Sequence, residues 1–326
     1  MRFTYALSLI QDSEMRSNFF PRLRTRVGRQ SLRHTVAKRL LNPLLRHCGY
    51  TVVADYFYQP IPNPQEVLLY HDRERPLTSI AWDLGRQVEF VNALLTRYRG
   101  EFNIRDVLSA CGYNEARSGI VCGDAEVLYS LIRARNPQTI IEIGAGGSTQ
   151  IMAAALKINY AEHGGRTKLI SIDPYPQDFL RRFEIETQDF ANFELVTERA
   201  QDVDLGIFHG LKDNDLLFVD SSHVFKQGSD VEFAFLQVYP KLRKGVIVHI
   251  HDIFFPFDYP VEWNSKECWF WNEQYFLETF LQFNSKFQIL ASLSMISRFA
   301  SDVFARNVHS YHVNARPASF WMEAIT

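Results

Sequence analysis

The sequence predicts a doubly wound α/β fold, and three observations carry that prediction. Five short apolar runs rich in β-branched residues follow residue 120: Thr139 to Ile143, Lys168 to Ile172, Phe193 to Thr197, Leu216 to Asp220 and Val246 to His251. Helical segments lie between or after them, at Gln150 to His163, Gly228 to Val238 and Trp271 to Asn284. The first run ends in a glycine-rich turn and the second in a lone acid, Asp173. Continuous apolar strands suit a parallel sheet covered on both faces, and such sheets bind ligands beyond the carboxyl ends of their strands.

In chain order, the first element is a basic arm. Residues 1–50 hold ten Lys and Arg against Asp12 and Glu14, a net of +8, which leaves −10 for the remainder of a chain whose total is −2. Arg22, Arg24, Arg26, Arg29, Arg33, Lys38 and Arg39 precede or share a predicted helix, Ser31 to Arg46, with Leu32, Val36, Leu40, Leu44 and Leu45 on one face. A basic amphipathic helix suits peripheral contact with an anionic membrane surface, and a solvated arm packed by its leucines is the alternative. The arm has neither interleaved aromatics nor a binding motif, which argues against nucleic acid. Phe3 to Ile10 is too short to span a membrane and has no small-residue cleavage site, so a cytoplasmic location is expected, with any membrane association made through the arm.

Residues 51–119 read as a mostly helical accessory region on the substrate side, with a Pro-rich connection at Tyr58 to Pro64, a helix at residues 85–99 and a loop at Gly112 to Gly119. Residues 120–326 form the predicted catalytic domain. It opens with a helix from Asp124 to Arg135 that is acidic at its start and basic at its end, as the helix dipole favours, and Pro137 closes it. A hydrophobic content of 46% excludes a disordered chain. Cys48, Cys111, Cys122 and Cys268 match no zinc or redox spacing and are expected as reduced, mostly buried thiols.

The chemistry is predicted at the strand ends. Glu142-Ile-Gly-Ala-Gly-Gly-Ser-Thr149 is a glycine turn between a strand and a helix, where Gly144 and Gly146 let the backbone approach a ligand and the helix N-terminus favours an anion. A plain structural turn is the alternative. Asp173 stands 27 residues after Gly146, where a carboxylate can accept from both hydroxyls of a ribose. Thr149 at the position of a third glycine and the negative Glu142 argue against a pyrophosphate. S-adenosylmethionine fits better, its ammonium toward Glu142, its carboxylate at the turn and its ribose on Asp173.

These segments, with Phe218-Val-Asp-Ser-Ser-His223 and Gly245-Val-Ile-Val-His-Ile-His-Asp252, resemble the class I S-adenosylmethionine-dependent methyltransferases over about residues 120–326. Within them the chain is most similar to a bacterial group of undefined substrate, and more distantly to the catechol and macrolide-sugar O-methyltransferases. The resemblance implies a Rossmann-like seven-stranded sheet whose last strand, at Ala318 to Glu323, is antiparallel. It also implies that Gly144, Ala145, Gly146 and Ser148 line the methionine moiety, that Asp173 holds the ribose, that Asp220 faces the sulfonium and that Glu198 to Asp202 passes the adenine, a solvated loop being the alternative for that last segment. Asp124 and Glu126 have a possible cofactor contact and a plain dipole explanation.

Methyl transfer needs an aligned, deprotonated nucleophile, so Asp220, His223, His251 and Asp252 are expected around the reacting atoms, with His223 as base or structural partner. His249 is expected as a hydrogen-bonded core histidine. A divalent metal on Asp220, His251 and Asp252 is a further expectation, because the metal-dependent relatives draw ligands from these two strand ends. The histidine would favour manganese, iron or zinc over magnesium. Phe254 to Pro260 with Trp263, Trp269 and Trp271 reads as an aromatic lid or as core packing, and Glu273 as a solvated helix position, with pointing back toward the site as its alternative. The acceptor is expected to be an oxygen of a small molecule or saccharide. The rival readings are a nicotinamide-dependent oxidoreductase, an enzyme like the cephalosporin hydroxylases, and a non-catalytic binding protein.

Overall fold

The computed structural model describes residues 37–53, 60–71, 73–101, 103, 119–120, 123–308, 311–312 and 314–326. Arg22 to Arg33 of the basic arm, the Tyr58 end of the Pro-rich connection, positions 112–118 of the predicted loop, Cys111 and Cys122 lie outside them.

The chain divides into two compact units, Met1–Asn63 and Pro64–Thr326. In the first, consecutive helical turns run through Ala37–Leu41, Asn42–Leu45 and Arg46–Cys48 and stop at Gly49, whose φ of +81° ends a helix readily. None of the described side chains from 39 to 53 is buried, and Leu40 and Leu44 are 63% and 72% exposed. Of the predicted leucine stripe, Leu40 and Leu44 are thus uncovered and Leu45 is half-buried, whereas Leu32 and Val36 lie outside the described residues. Asn42 pins the following segment, donating to the Val52 carbonyl at 2.9 Å and accepting from the Val52 N–H at 2.7 Å.

In the second unit, α1 (Pro64–Tyr70), α2 (Leu84–Arg97) and α3 (Asp124–Arg135) precede β1 (Thr139–Ile143), α4 (Gly147–His163), β2 (Thr167–Ile172), α5 (Leu180–Thr187) and β3 (Ala191–Val196). Then come β4 (Leu216–Val219), α6 (Asp230–Phe233, continued by a wider turn over Ala234–Val238), β5 (Ile247–Ile250), α7 (Val261–Ser265) and α8 (Glu273–Leu281). β6 (Phe287–Ser292), α9 (Leu293–Phe299), α10 (Asp302–Asn307) and β7 (Phe320–Ala324) complete it.

The seven strands lie in the order β3-β2-β1-β4-β5-β7-β6, with β1 to β5 parallel and β7 antiparallel to both β5 and β6. The antiparallel last strand is as the resemblance implies, shifted to Phe320–Ala324. Successive strand residues enter opposite cores. Ile140, Leu169, Leu216 and Phe218 pack under α2 to α5, whereas Ile141, Ile170, Leu217, Val219 and Val248 pack with Phe233 of α6 and Leu277 of α8. Burial on both faces is why these strands read as continuous apolar runs. α2, placed by the sequence in the accessory region, inserts Val91, Leu94 and Leu95 into the first of these cores.

Chain order reverses between the parallel neighbours β1 and β4, from which the successive strands are added outward to opposite edges of the sheet. That is where a crevice opens at the carboxyl ends of the strands. Cys48 and Cys268 are free and exposed, contrary to the expectation of burial, because both sit in peripheral turns.

Candidate active site

The glycine turn leaves β1 at Gly144, whose φ is +83°. A Cβ there would lie 1.8 Å from the Asp220 carbonyl oxygen, so the close approach of the β4 end, rather than of a ligand, demands glycine at this position. Strand alternation aims Glu142, like Ile140, at the face beneath α4. Its carboxylate has no exposed surface and accepts from the hydroxyls of Ser148 at 2.5 Å, Thr149 at 2.7 Å and Ser171 at 2.5 Å. Burial pushes this carboxyl up to about 7 against the pull of those three hydroxyls. Glu142 and Ser148 thus tie the turn to the sheet. Both side chains are buried. Thr149, standing where a third glycine would be, also accepts from the Gly146 N–H at 3.1 Å.

What the turn does offer a ligand is backbone and one carboxylate. Gly144 and Ala145 are half-buried. Asp173 accepts from the Ala145 N–H at 3.1 Å with one oxygen and from the Tyr175 N–H at 2.7 Å with the other. Each oxygen keeps a lone pair for a hydroxyl. Ser221 Oγ, next in chain to Asp220, is shielded and has no partner among the described residues, so a donor is left over beside the crevice. Beyond β3, Ala200–Asp202 forms one tight helical turn in which Asp202 pairs with Arg199 at 2.6 Å.

The second half of the site forms where β4 and β5 end. His223 and Asp252 both hold a left-handed φ of +56°, a conformation uncommon outside glycine that His and Asp adopt more readily than most residues. His223 is buried, with Nδ1 3.0 Å from Glu273 Oε2, and Nε2 3.3 Å from Asp220 Oδ1 and 3.7 Å from Asp252 Oδ2. Glu273 carries no exposed surface, which corrects its expected solvated position. The start of α8 is drawn inward because the N–H groups of Asn272 and Glu273 both donate to the His223 carbonyl, at 3.0 and 3.2 Å.

One ligand atom each from Asp220, His223 and Asp252 lie within 4.8 Å of one another, the one such triad among the described residues. His251, expected as the third ligand, is turned toward the Gly119 carbonyl at 3.1 Å and stands 4.0 Å from Asp252. The loop after β4 carries His223 back into the place the sequence assigned to His251. Two carboxylates and an imidazole make an oxygen and nitrogen donor set that fits a divalent cation.

Burial disfavours the charged form of His223, but hydrogen bonds to Asp220 and Glu273 and the charges of Glu273 and Asp252 outweigh it and hold the imidazole well above 6.5. Burial also works on Asp220, yet His251, His223 and His249 keep its carboxyl down at about 2. His251 rises to about 9 against burial, through Asp220, Asp252 and Asp124. Each ring nitrogen of His223 thus lies beside a carboxylate, Nδ1 beside Glu273 and Nε2 beside Asp220 and, farther off, Asp252. His249 is the expected core histidine, stacked 3.9 Å from the Phe218 ring and bonded to Ser319 Oγ at 2.9 Å. Asp124 likewise serves the scaffold, accepting from the N–H groups of Ala318 and Ser319, and Glu126 caps α3 by accepting from the Gly123 N–H at 2.7 Å.

A cavity of about 390 Å³ opens on Asp252 and His251, with Phe254, Trp263, His312 and Arg316 among its walls. The aromatic insertion divides between the two roles the sequence left open. Phe255 is fully buried against Trp82 and Phe320, while Trp263 packs edge-on to Phe254 at 5.4 Å and to Trp271 at 4.8 Å. Trp271 in turn lies 4.3 Å from the His223 ring.

Residues 141–253 match the model of a methyltransferase domain family. An uncharacterized protein of Archaeoglobus fulgidus is 27% identical over 204 residues, covering 56% of this chain and 86% of that protein. Among solved structures, a methyltransferase of Podospora anserina bound to S-adenosylhomocysteine is 12% identical, with a TM-score of 0.40, 85% of this chain and 100% of that chain covered. A TDP-rhamnose 3'-O-methyltransferase of calicheamicin biosynthesis is also 12% identical, with a TM-score of 0.38 and coverages of 76% and 99%. The family match runs from within β1 to just past β5 and so encloses the glycine turn, Asp173 and the whole β4 and β5 cluster except Glu273. Over residues 141–253, about a third of the chain, the protein is thus similar to a methyltransferase domain.

Proposed function

We propose that this protein transfers a methyl group from S-adenosylmethionine to an oxygen of a small-molecule or saccharide acceptor, with a divalent cation held by Asp220, His223 and Asp252. The observation that carries the reading is the convergence of those three ligand atoms within 4.8 Å at the ends of β4 and β5, next to the crevice at the glycine turn. Asp173 would hold the ribose and the backbone of Gly144 to Gly146 the methionine end. S-adenosylmethionine supplies the electrophilic methyl group, and a bound cation would lower the pKa of an acceptor hydroxyl.

The chain's own groups then align and protect. Glu273 fixes the His223 ring so that Nε2 faces Asp220 and Asp252, as buried carboxylates do for metal-binding histidines. Trp263 and Phe254 offer flat faces to a sugar or aromatic ring in the cavity above Asp252 and exclude water from it. Thr149, locked against Glu142 and Gly146, supports this reading over a nicotinamide cofactor, whose pyrophosphate favours a glycine there.

Methyl transfer should collapse after stripping with chelator and return with added Mn²⁺ or Mg²⁺. Full activity after chelation, with elemental analysis finding no metal, would remove the cation from the reading.

A further inference from the structure

The cavity over Asp252 does not end at its aromatic wall. A second recess, of about 530 Å³, adjoins it, and His312 lines both. The two differ in chemistry. The first is bordered by the carboxylates of Asp124, Asp252 and Glu262, whereas the second is lined by Ser297, Arg298, Ser301, Ala305, Tyr311 and His312, with no carboxylate. The nearest acid in sequence, Asp302, is neutralised by Arg306 at 2.7 Å. Arg298 has no ion-pair partner among the described residues, and its guanidinium lies 5.6 Å from the Phe257 ring centre. Arg316, on the wall of the first cavity, has no ion-pair partner there either.

A guanidinium, two aliphatic hydroxyls, a phenol and an imidazole around one concavity are donors suited to an anion with several acceptor oxygens. The carboxylates of the first cavity would repel such an anion but suit the hydroxyls of an uncharged ring. We propose that the acceptor is a phosphorylated saccharide, its ring in the cavity over Asp252 and its phosphate in the adjoining recess, held by Arg298 and His312. This rests on the methyl-transfer reading above and names the acceptor class for it.

The test is calorimetry on the full chain with inorganic phosphate, α-D-glucose 1-phosphate and glucose as probes. Both phosphate-bearing probes should bind, glucose 1-phosphate more tightly than glucose. Arg298→Gln should weaken both by about tenfold or more, as expected for a charged hydrogen bond, whereas Arg166→Gln, at an exposed position just before β2, should leave them within about twofold. Equal losses in the two variants would mean diffuse charge rather than a site and would overturn the proposal, as would equal affinity for glucose and its phosphate. S-adenosylhomocysteine is titrated in the same preparation. If it fails to bind, the methyl-transfer reading falls; if it binds while phosphate gives no heat, the acceptor proposal alone falls.

Discussion

At the scale of single residues, Glu142 holds the glycine turn to the sheet from a fully buried position. It anchors three hydroxyls, two of them from the first turn of α4, and burial lifts its carboxyl to about 7. Below about 4.5 the folded and unfolded chains both keep this proton. Between 4.5 and 7 only the unfolded chain releases it, so the side chain's contribution to stability falls as pH rises and its full cost, about 3 kcal/mol, is present above 7. Glu142→Gln should therefore show a shallower decline in urea midpoint from pH 5 to pH 8 than the parent chain. Parallel curves would mean that the carboxyl is already ionised in the fold. The sequence marked Glu142 as unusual, but its three buried hydroxyl partners are set by the fold and cannot be read from spacing.

At the scale of elements, the loop after β4 and the start of α8 operate as one piece. Asn272 accepts from the Phe225 N–H at 2.6 Å, the His223 carbonyl takes two N–H groups from α8, and Glu273 takes the other side of the His223 ring. Glu273→Gln should keep the packing and weaken Mn²⁺ binding about ten- to hundred-fold, as loss of a carboxylate behind a histidine ligand does. Unchanged Mn²⁺ affinity in a folded variant would detach Glu273 from the site. The residues sharing this piece lie 50 positions apart, beyond the reach of any local pattern. In the first unit, Leu40, Leu41 and Leu44 are exposed on the helical run, within residues 1–50 of net charge +8, and contact with an anionic membrane surface stands as a proposal. The chain should sediment with anionic vesicles at low salt and be released at high salt. Absence from the vesicle pellet at both would leave the stripe to another partner.

At the scale of the whole molecule, the sheet order joins the two halves of the site. β1 and β4 are neighbours, so the turn after one and the acid after the other come into van der Waals contact at Gly144 and Asp220. Gly144→Ala should force the two strand ends apart. A loss of more than about 3 kcal/mol in denaturant stability, together with weaker S-adenosylhomocysteine binding, is the expected result. A stable variant with normal binding would show that this approach is not essential. Arg75, in the segment before α2, reaches the other side of the site, bonding to Asp258 and the Phe257 carbonyl of the aromatic insertion and to Glu278 of α8 at 2.6 Å. The insertion is thereby held from a segment about 180 residues earlier.

The sequence by itself determined the doubly wound sheet, its five parallel strands, the glycine turn, Asp173 and the acids after β4 and β5. These depend on local signals: apolar runs, their alternation with helices, and turn residues at strand ends. The sequence did not reveal β6 or α5, because Phe287-Gln-Ile-Leu-Ala-Ser292 is short and broken by Gln288, and Leu180–Thr187 is mostly polar. Only the tertiary structure decided which histidine joins Asp220 and Asp252, and that Glu273 is buried. Adjacent residues at a strand end point in different directions, and a left-handed turn at His223 or Asp252 reverses which of them faces the crevice. Direction of that kind is set by packing across the sheet and by α8, and spacing in the chain does not encode it.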